Sequence, residues 1–207
     1  MTTELYLVRH GETDWNRQRR IQGLTDIPLN DAGREQARET GRALGRRPFD
    51  GIFSSPLGRA LETARIIASE VGLPDPAVID ALVERNYGEA EGMGFDEIER
   101  RWPDRTAVPG QESREQVVDR VLPALRDLAR AHPGRSLIVV SHGGAIRSVL
   151  AAADPDGAHG TITNGSIHSF RFGDDDVLRL LAFDDRISHD PLDTQNAVEA
   201  RDDEGAA

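Results

Sequence analysis

Leu5-Tyr6-Leu7-Val8-Arg9-His10-Gly11-Glu12-Thr13 is the stretch on which the reading of this chain turns. Its four consecutive apolar residues show no alternation, the pattern of a strand covered on both faces, as in a parallel sheet flanked by helices. The run then stops at an arginine, a histidine and a glycine, which places two polar side chains where the strand leaves its sheet. The pattern returns far along the chain. Ser136-Leu137-Ile138-Val139-Val140 is apolar and β-branched, and it ends in Ser141-His142-Gly143-Gly144.

Working outward from the first unit, Glu12 to Ile27 reads as a long, polar, arginine-rich loop of the kind that often carries function. Asn30 or Asp31 then caps a helix expected to run to about Arg47. Asp50 to Ser55 reads as a second strand. From Pro56, Leu57, Leu61, Ala64, Ile67, Ala68 and Val71 recur at helical spacing until Gly72-Leu73-Pro74 ends the run, and Arg59 falls in the first turn. Ala77 to Asp80 is a third strand candidate, followed by an acidic, glycine-rich segment from Leu82 to Gly92. Phe95 to Trp102 is a short helix. Glu112 to His132 is a longer one, with a kink expected at Pro123. A helix from Ala145 to about Ala152 follows the second histidine unit, and Ser166 to Asp184 reads as a hairpin around Gly173-Asp174-Asp175-Asp176.

Strands alternating with helices predict an α/β three-layer sandwich: a mainly parallel central sheet with an antiparallel edge strand, and helices on both faces. The 207 residues and 38% hydrophobic content suit one domain, assigned to residues 1–192, with 193–207 an acidic, disordered tail. No internal repeat suggests a solenoid. No apolar run reaches the roughly 20 residues that cross a bilayer, and the N-terminus has no secretory pattern, so the expected location is cytoplasmic. A net charge of -11 argues against nucleic-acid and anionic-membrane partners. The absence of cysteine removes thiolate nucleophiles, and all 25 basic residues are arginine, which removes a P-loop lysine and lysine Schiff-base chemistry.

In an open α/β sheet, ligands bind outside the carboxyl ends of the strands. Arg9, His10, Arg59 and His142 all fall at that edge. Two guanidiniums and two imidazoles suit a phosphoryl group, the first pair as planar donor forks and the second as a nucleophile and a further donor. Positive neighbours disfavour protonating His10, while a dianionic substrate pulls the other way.

Arg9-His10-Gly11-Glu12-Thr13-Asp14-Trp15-Asn16, Gln22-Gly23, Ser54-Ser55-Pro56-Leu57-Gly58-Arg59-Ala60 with Thr63-Ala64, Leu82 through Gly92, and Ser141-His142-Gly143-Gly144 together resemble the histidine phosphatase superfamily, in its phosphoglycerate-mutase-like branch. The resemblance spans about Leu5 to Asp184. It implies that Nε2 of His10 takes the phosphoryl group, that Arg9, Arg59 and His142 hold its oxygens with help from Asn16, and that Glu84 is general acid and base. Gln22, Gly23, Arg85, Tyr87 and Gly143 become substrate contacts, although Gln22-Gly23 also reads as a glycine turn. His132, His159, His168 and His189 read as surface residues. No HExxH or similar cluster calls for a metal, and no cofactor is expected.

The same chemistry serves phosphatases and mutases. Glu84-Arg85-Asn86-Tyr87-Gly88 resembles the signature of the cofactor-dependent phosphoglycerate mutases, yet the lysine-bearing insertion those enzymes carry after this point is missing. Asp26-Ile27-Pro28-Leu29, Gly33 and Ile187-Ser188-His189 look more like the broad-specificity phosphatases. The expected activity is hydrolysis of small-molecule phosphate monoesters, with a mutase as the alternative and a silent phosphate-binding module as a third reading. A homodimer is admissible, dimers being the commonest closed assembly.

Overall fold

The computed structural model describes residues 1–103 and 108–185. The 193–207 tail, Ile187 to His189 and the end of the expected domain lie outside the described residues.

The first strand, β1 (Thr3–Arg9), lies at the centre of a six-stranded sheet. Its companions are β2 (Gly51–Ser54), β3 (Ala77–Val78), β4 (Ser136–Ser141), β5 (Ile167–Phe172) and β6 (Leu178–Ala182), in the order β3-β2-β4-β1-β5-β6. β1 pairs in parallel with β4, and β4 with β2. The edge is an antiparallel hairpin, β5 against β1 and β6 against β5.

Both faces of β1 are covered, as the lack of alternation predicts. Leu5 and Leu7 enter one core with Leu137 and Val139 of β4. Tyr6 and Val8 enter the other with Ile138 and Val140. The Leu5 side is closed by α5 (Arg114–Ala131) and α6 (Gly143–Ala153), and the Tyr6 side by α2 (Asp31–Leu44) and α3 (Gly58–Val71). Two further helices, α1 (Asp14–Arg17) and α4 (Phe95–Arg101), sit in the connections.

The boundaries follow local chemistry. Asn30 caps α2 by accepting the Gly33 N–H, and the helix stops at Leu44 rather than Arg47. Gly72, in the left-handed conformation, closes α3. β3 is two residues long because a 3-10 turn takes over at Asp80. A Ser113/Gln116 capping box starts α5, and the helix continues through an exposed Pro123. α6 begins at Gly143, directly after His142. The loop after Glu12 contains α1, held by a Thr13/Asn16 capping box.

Candidate active site

Parallel register sets Arg9 opposite Ser141, so the next residue on each strand is a histidine at the same sheet edge. The His10 and His142 rings stand 5.2 Å apart between centroids, and both are buried. Nδ1 of His10 donates to the carbonyl of Gly11 at 2.7 Å, which fixes the neutral tautomer with its proton on Nδ1 and a lone pair on Nε2. Burial first, then Arg59 and Arg9, hold the His10 imidazole well below the usual histidine range. Both influences favour the neutral ring at pH 7. Burial, with Arg59 next, lowers His142 in the same way, and its Nε2 shares a 2.7 Å hydrogen bond with the Ser55 hydroxyl.

Arg59 is fully buried near the start of α3. Its Nη2 donates to the Gly23 carbonyl at 2.7 Å and its Nη1 to the Thr25 carbonyl at 2.8 Å, while Nε has no protein partner. A carboxylate from outside the helix, Asp26, accepts the Gly58 N–H and caps α3. Thr63, one turn further on, accepts the Gly11 N–H, tying this helix to the His10 corner. Arg9 donates Nη1 to the Ile162 carbonyl at 2.6 Å.

Glu84 reaches the same edge from the segment after β3. Its carboxylate accepts N–H groups from Arg85, Gly144 and Ala145, the last two in the first turn of α6. A Cβ on Gly144 would come within 2.6 Å of Glu84 and 2.7 Å of the Tyr87 hydroxyl, so only glycine lets both approach. Tyr87 is itself pushed up by burial and by the charge of Glu84.

The remaining expected contacts divide. Gly143 packs beside the Arg9 guanidinium, with 3.4 Å from an added Cβ to Nε. Gln22 is buried, and its Oε1 has no partner. Gly23 acts through its carbonyl on Arg59. Asn16 faces Asn164, whose Nδ2 donates to the His10 carbonyl at 2.9 Å and to Asn16 Oδ1 at 3.3 Å. Arg85 turns away, donating Nε to the Glu112 carbonyl and lying over the Tyr87 ring.

Three supporting residues escaped the sequence reading. Glu91, in the acidic, glycine-rich segment, accepts the N–H groups of Leu24 and Thr25 and the Thr25 hydroxyl, organising the turn whose carbonyls grip Arg59. Gly23 at φ 58 lets that turn close against Glu91. Arg120 donates to the carbonyls of Ala81, Val83 and Glu84 and thereby presents Glu84. Asn164 is the third, and no motif pointed to it.

His168 corrects an expectation. It is fully buried, not a surface residue. Its Nδ1 accepts the Asp184 N–H, and its Nε2 donates to Ser166, so burial costs no unpaired nitrogen. Burial lowers it to about 4. His132 and His159 are half-buried, packed on Phe53 and Phe183 respectively, and His189 lies outside the described residues.

The family model of the histidine phosphatase superfamily (branch 1) matches residues 5–185. The chain is 40% identical over 176 residues to the uncharacterized phosphatase PhoE of Bacillus subtilis, covering 84% of this chain and 90% of that protein. It is 34% identical to a 2,3-bisphosphoglycerate-dependent phosphoglycerate mutase of Parvibaculum lavamentivorans, covering 74% and 81%. The solved mycobacterial glucosyl-3-phosphoglycerate phosphatase superposes with a TM-score of 0.79 at 28% identity, covering 89% of this chain and 99% of that one. A signature met from Leu5 to the end of the edge hairpin, on a sheet that sets both histidines side by side, places this chain in branch 1 of the histidine phosphatase superfamily.

Proposed function

We propose that this protein hydrolyses small-molecule phosphate monoesters without a metal, through a phosphohistidine on Nε2 of His10. The observation that carries the reading is the His10 Nδ1–Gly11 carbonyl bond, which leaves a neutral imidazole with its lone pair on Nε2 beside two guanidiniums.

In the first step Nε2 of His10 attacks phosphorus, the N–P bond forms and the ester P–O bond breaks. Arg9, Arg59 and His142 hold the equatorial oxygens as charge accumulates there. Protonated Glu84 gives its proton to the leaving alkoxide. In the second step a water attacks phosphorus, the Glu84 carboxylate takes the water proton, and the N–P bond breaks. Inorganic phosphate leaves, and both residues return to their starting forms.

Hydrolysis rather than phosphoryl shuttling is supported by the region that would shield the intermediate. Between Gly92 and Ser113 the described residues contribute one seven-residue helix, α4, and an open cleft of about 470 Å³ adjoins Glu84. The relative with 40% identity is named a phosphatase.

4-Nitrophenyl phosphate should release phosphate at an undiminished rate in the presence of a chelator, and strict metal dependence would sink the mechanism. Supplying 3-phosphoglycerate with a bisphosphoglycerate primer separates the enzyme classes: free phosphate supports the phosphatase, and accumulation of 2-phosphoglycerate supports the mutase.

A further inference from the structure

The cleft beside Glu84 is lined by polar groups of an unusual kind for a site that handles anions. Its volume of about 470 Å³ suits a small molecule. Asn86, Gln111 and Gln116 bring three carboxamides to it, and Leu24, from the turn that grips Arg59, adds an apolar wall. Asn86 Oδ1 accepts the Gly88 N–H and Gln116 Oε1 accepts the Ser113 N–H. Both amides are thereby oriented, and their NH₂ groups remain as donors.

The charged groups of the cleft are committed to the protein. Arg120 pairs with Glu112 through Nε and Nη2, at 2.7 and 3.0 Å, and also donates to three backbone carbonyls. Glu84 is held by three backbone N–H groups. A carboxylate entering here would face Glu112, while the one guanidinium among the described lining residues is already saturated. Hydroxyl groups fit the same lining better, since each accepts from an amide NH₂ and donates to an amide or carboxylate oxygen.

We infer that this cleft receives the alcohol portion of the phosphate ester and selects an uncharged, hydroxyl-bearing one, a polyol or sugar, over one carrying a carboxylate; the inference rests on the phosphohistidine reading of the adjoining site. The leaving oxygen lies at Glu84, and the rest of the alcohol extends between Leu24 and the three amides.

Glycerol 3-phosphate and 3-phosphoglycerate differ only in a hydroxymethyl group against a carboxylate. Phosphate release from each by the full chain, with 4-nitrophenyl phosphate as reference, tests the inference. The expected kcat/KM for glycerol 3-phosphate exceeds that for 3-phosphoglycerate at least about tenfold. Gln111→Arg, which adds a cation to the lining, should shift that ratio toward 3-phosphoglycerate by about tenfold. Equal or reversed preference in the wild type, with 4-nitrophenyl phosphate still hydrolysed, overturns the inference and leaves the reading of the site intact. Failure to hydrolyse 4-nitrophenyl phosphate at all overturns both.

Discussion

The two strand–histidine–glycine corners are near copies in position and opposites in bonding. His10 and His142 follow adjacent parallel strands, one residue past the Arg9–Ser141 pair, and both rings are buried. His10 is anchored through Nδ1 to the carbonyl of its own neighbour, so Nε2 stays available. His142 is anchored through Nε2 to Ser55, and its chain continues straight into α6. In the proposed mechanism, which nitrogen the surroundings occupy, rather than where the residue sits, distinguishes the two rings.

That contrast can be broken from either side. His10→Ala should eliminate acid-labile phosphoryl labelling and lower kcat by on the order of 10⁴-fold or more, because Nε2 of His10 is the nitrogen that the proposed mechanism brings to phosphorus. His142→Ala should keep the labelling and lower kcat by about 10²-fold, the usual cost of one lost donor to developing charge. Equal loss of labelling in the two variants would erase the distinction between the corners.

A smaller effect is expected one layer out. Glu91→Ala frees the turn whose carbonyls hold Arg59. It should lower kcat/KM about tenfold and weaken inhibition by inorganic phosphate to a similar degree, since a misplaced guanidinium loses its aim. A change in thermal stability without a change in phosphate inhibition would make Glu91 a purely structural residue. Ser55→Ala releases His142 Nε2 while leaving His10 untouched, and a loss of only a few-fold in kcat/KM is expected.

His168 extends the comparison to a ring with both nitrogens occupied, which leaves it no chemistry and a structural role. Its depressed value means that the unfolded chain takes up a proton before the folded one does. The contribution of His168 to stability is complete above pH 6.5 and is lost as the pH drops from 6.5 to about 4, about 3 kcal/mol for this residue alone. Denaturant unfolding across that window checks this, and His168→Gln should flatten that part of the profile.

Much of the architecture was legible because burial on both faces leaves a plain mark. Leu5 to Val8 and Leu137 to Val140 lack alternation because each strand feeds two cores. The His10 corner, Arg59 and Glu84 were legible as motif pieces. What escaped was support that depends on distant backbone. Glu91 and Arg120 went unmarked because their partners are main-chain groups, which no sequence pattern shows. His168 read as exposed because it stands next to serine in β5, yet Ile167, Ser169 and Phe170 around it are buried as well. Its polar neighbours satisfy its ring rather than signal solvent.

The central claim is a covalent one, and the bond itself can be observed. Acid-free quenching of the protein during turnover of a phosphate ester, followed by ³¹P–¹⁵N correlation NMR on histidine-labelled chain, identifies the phosphorylated nitrogen. The expected result is a single phosphohistidine on Nε2 of His10. Phosphate on Nδ1 of His10, phosphate on His142, or turnover with no phosphohistidine would contradict it.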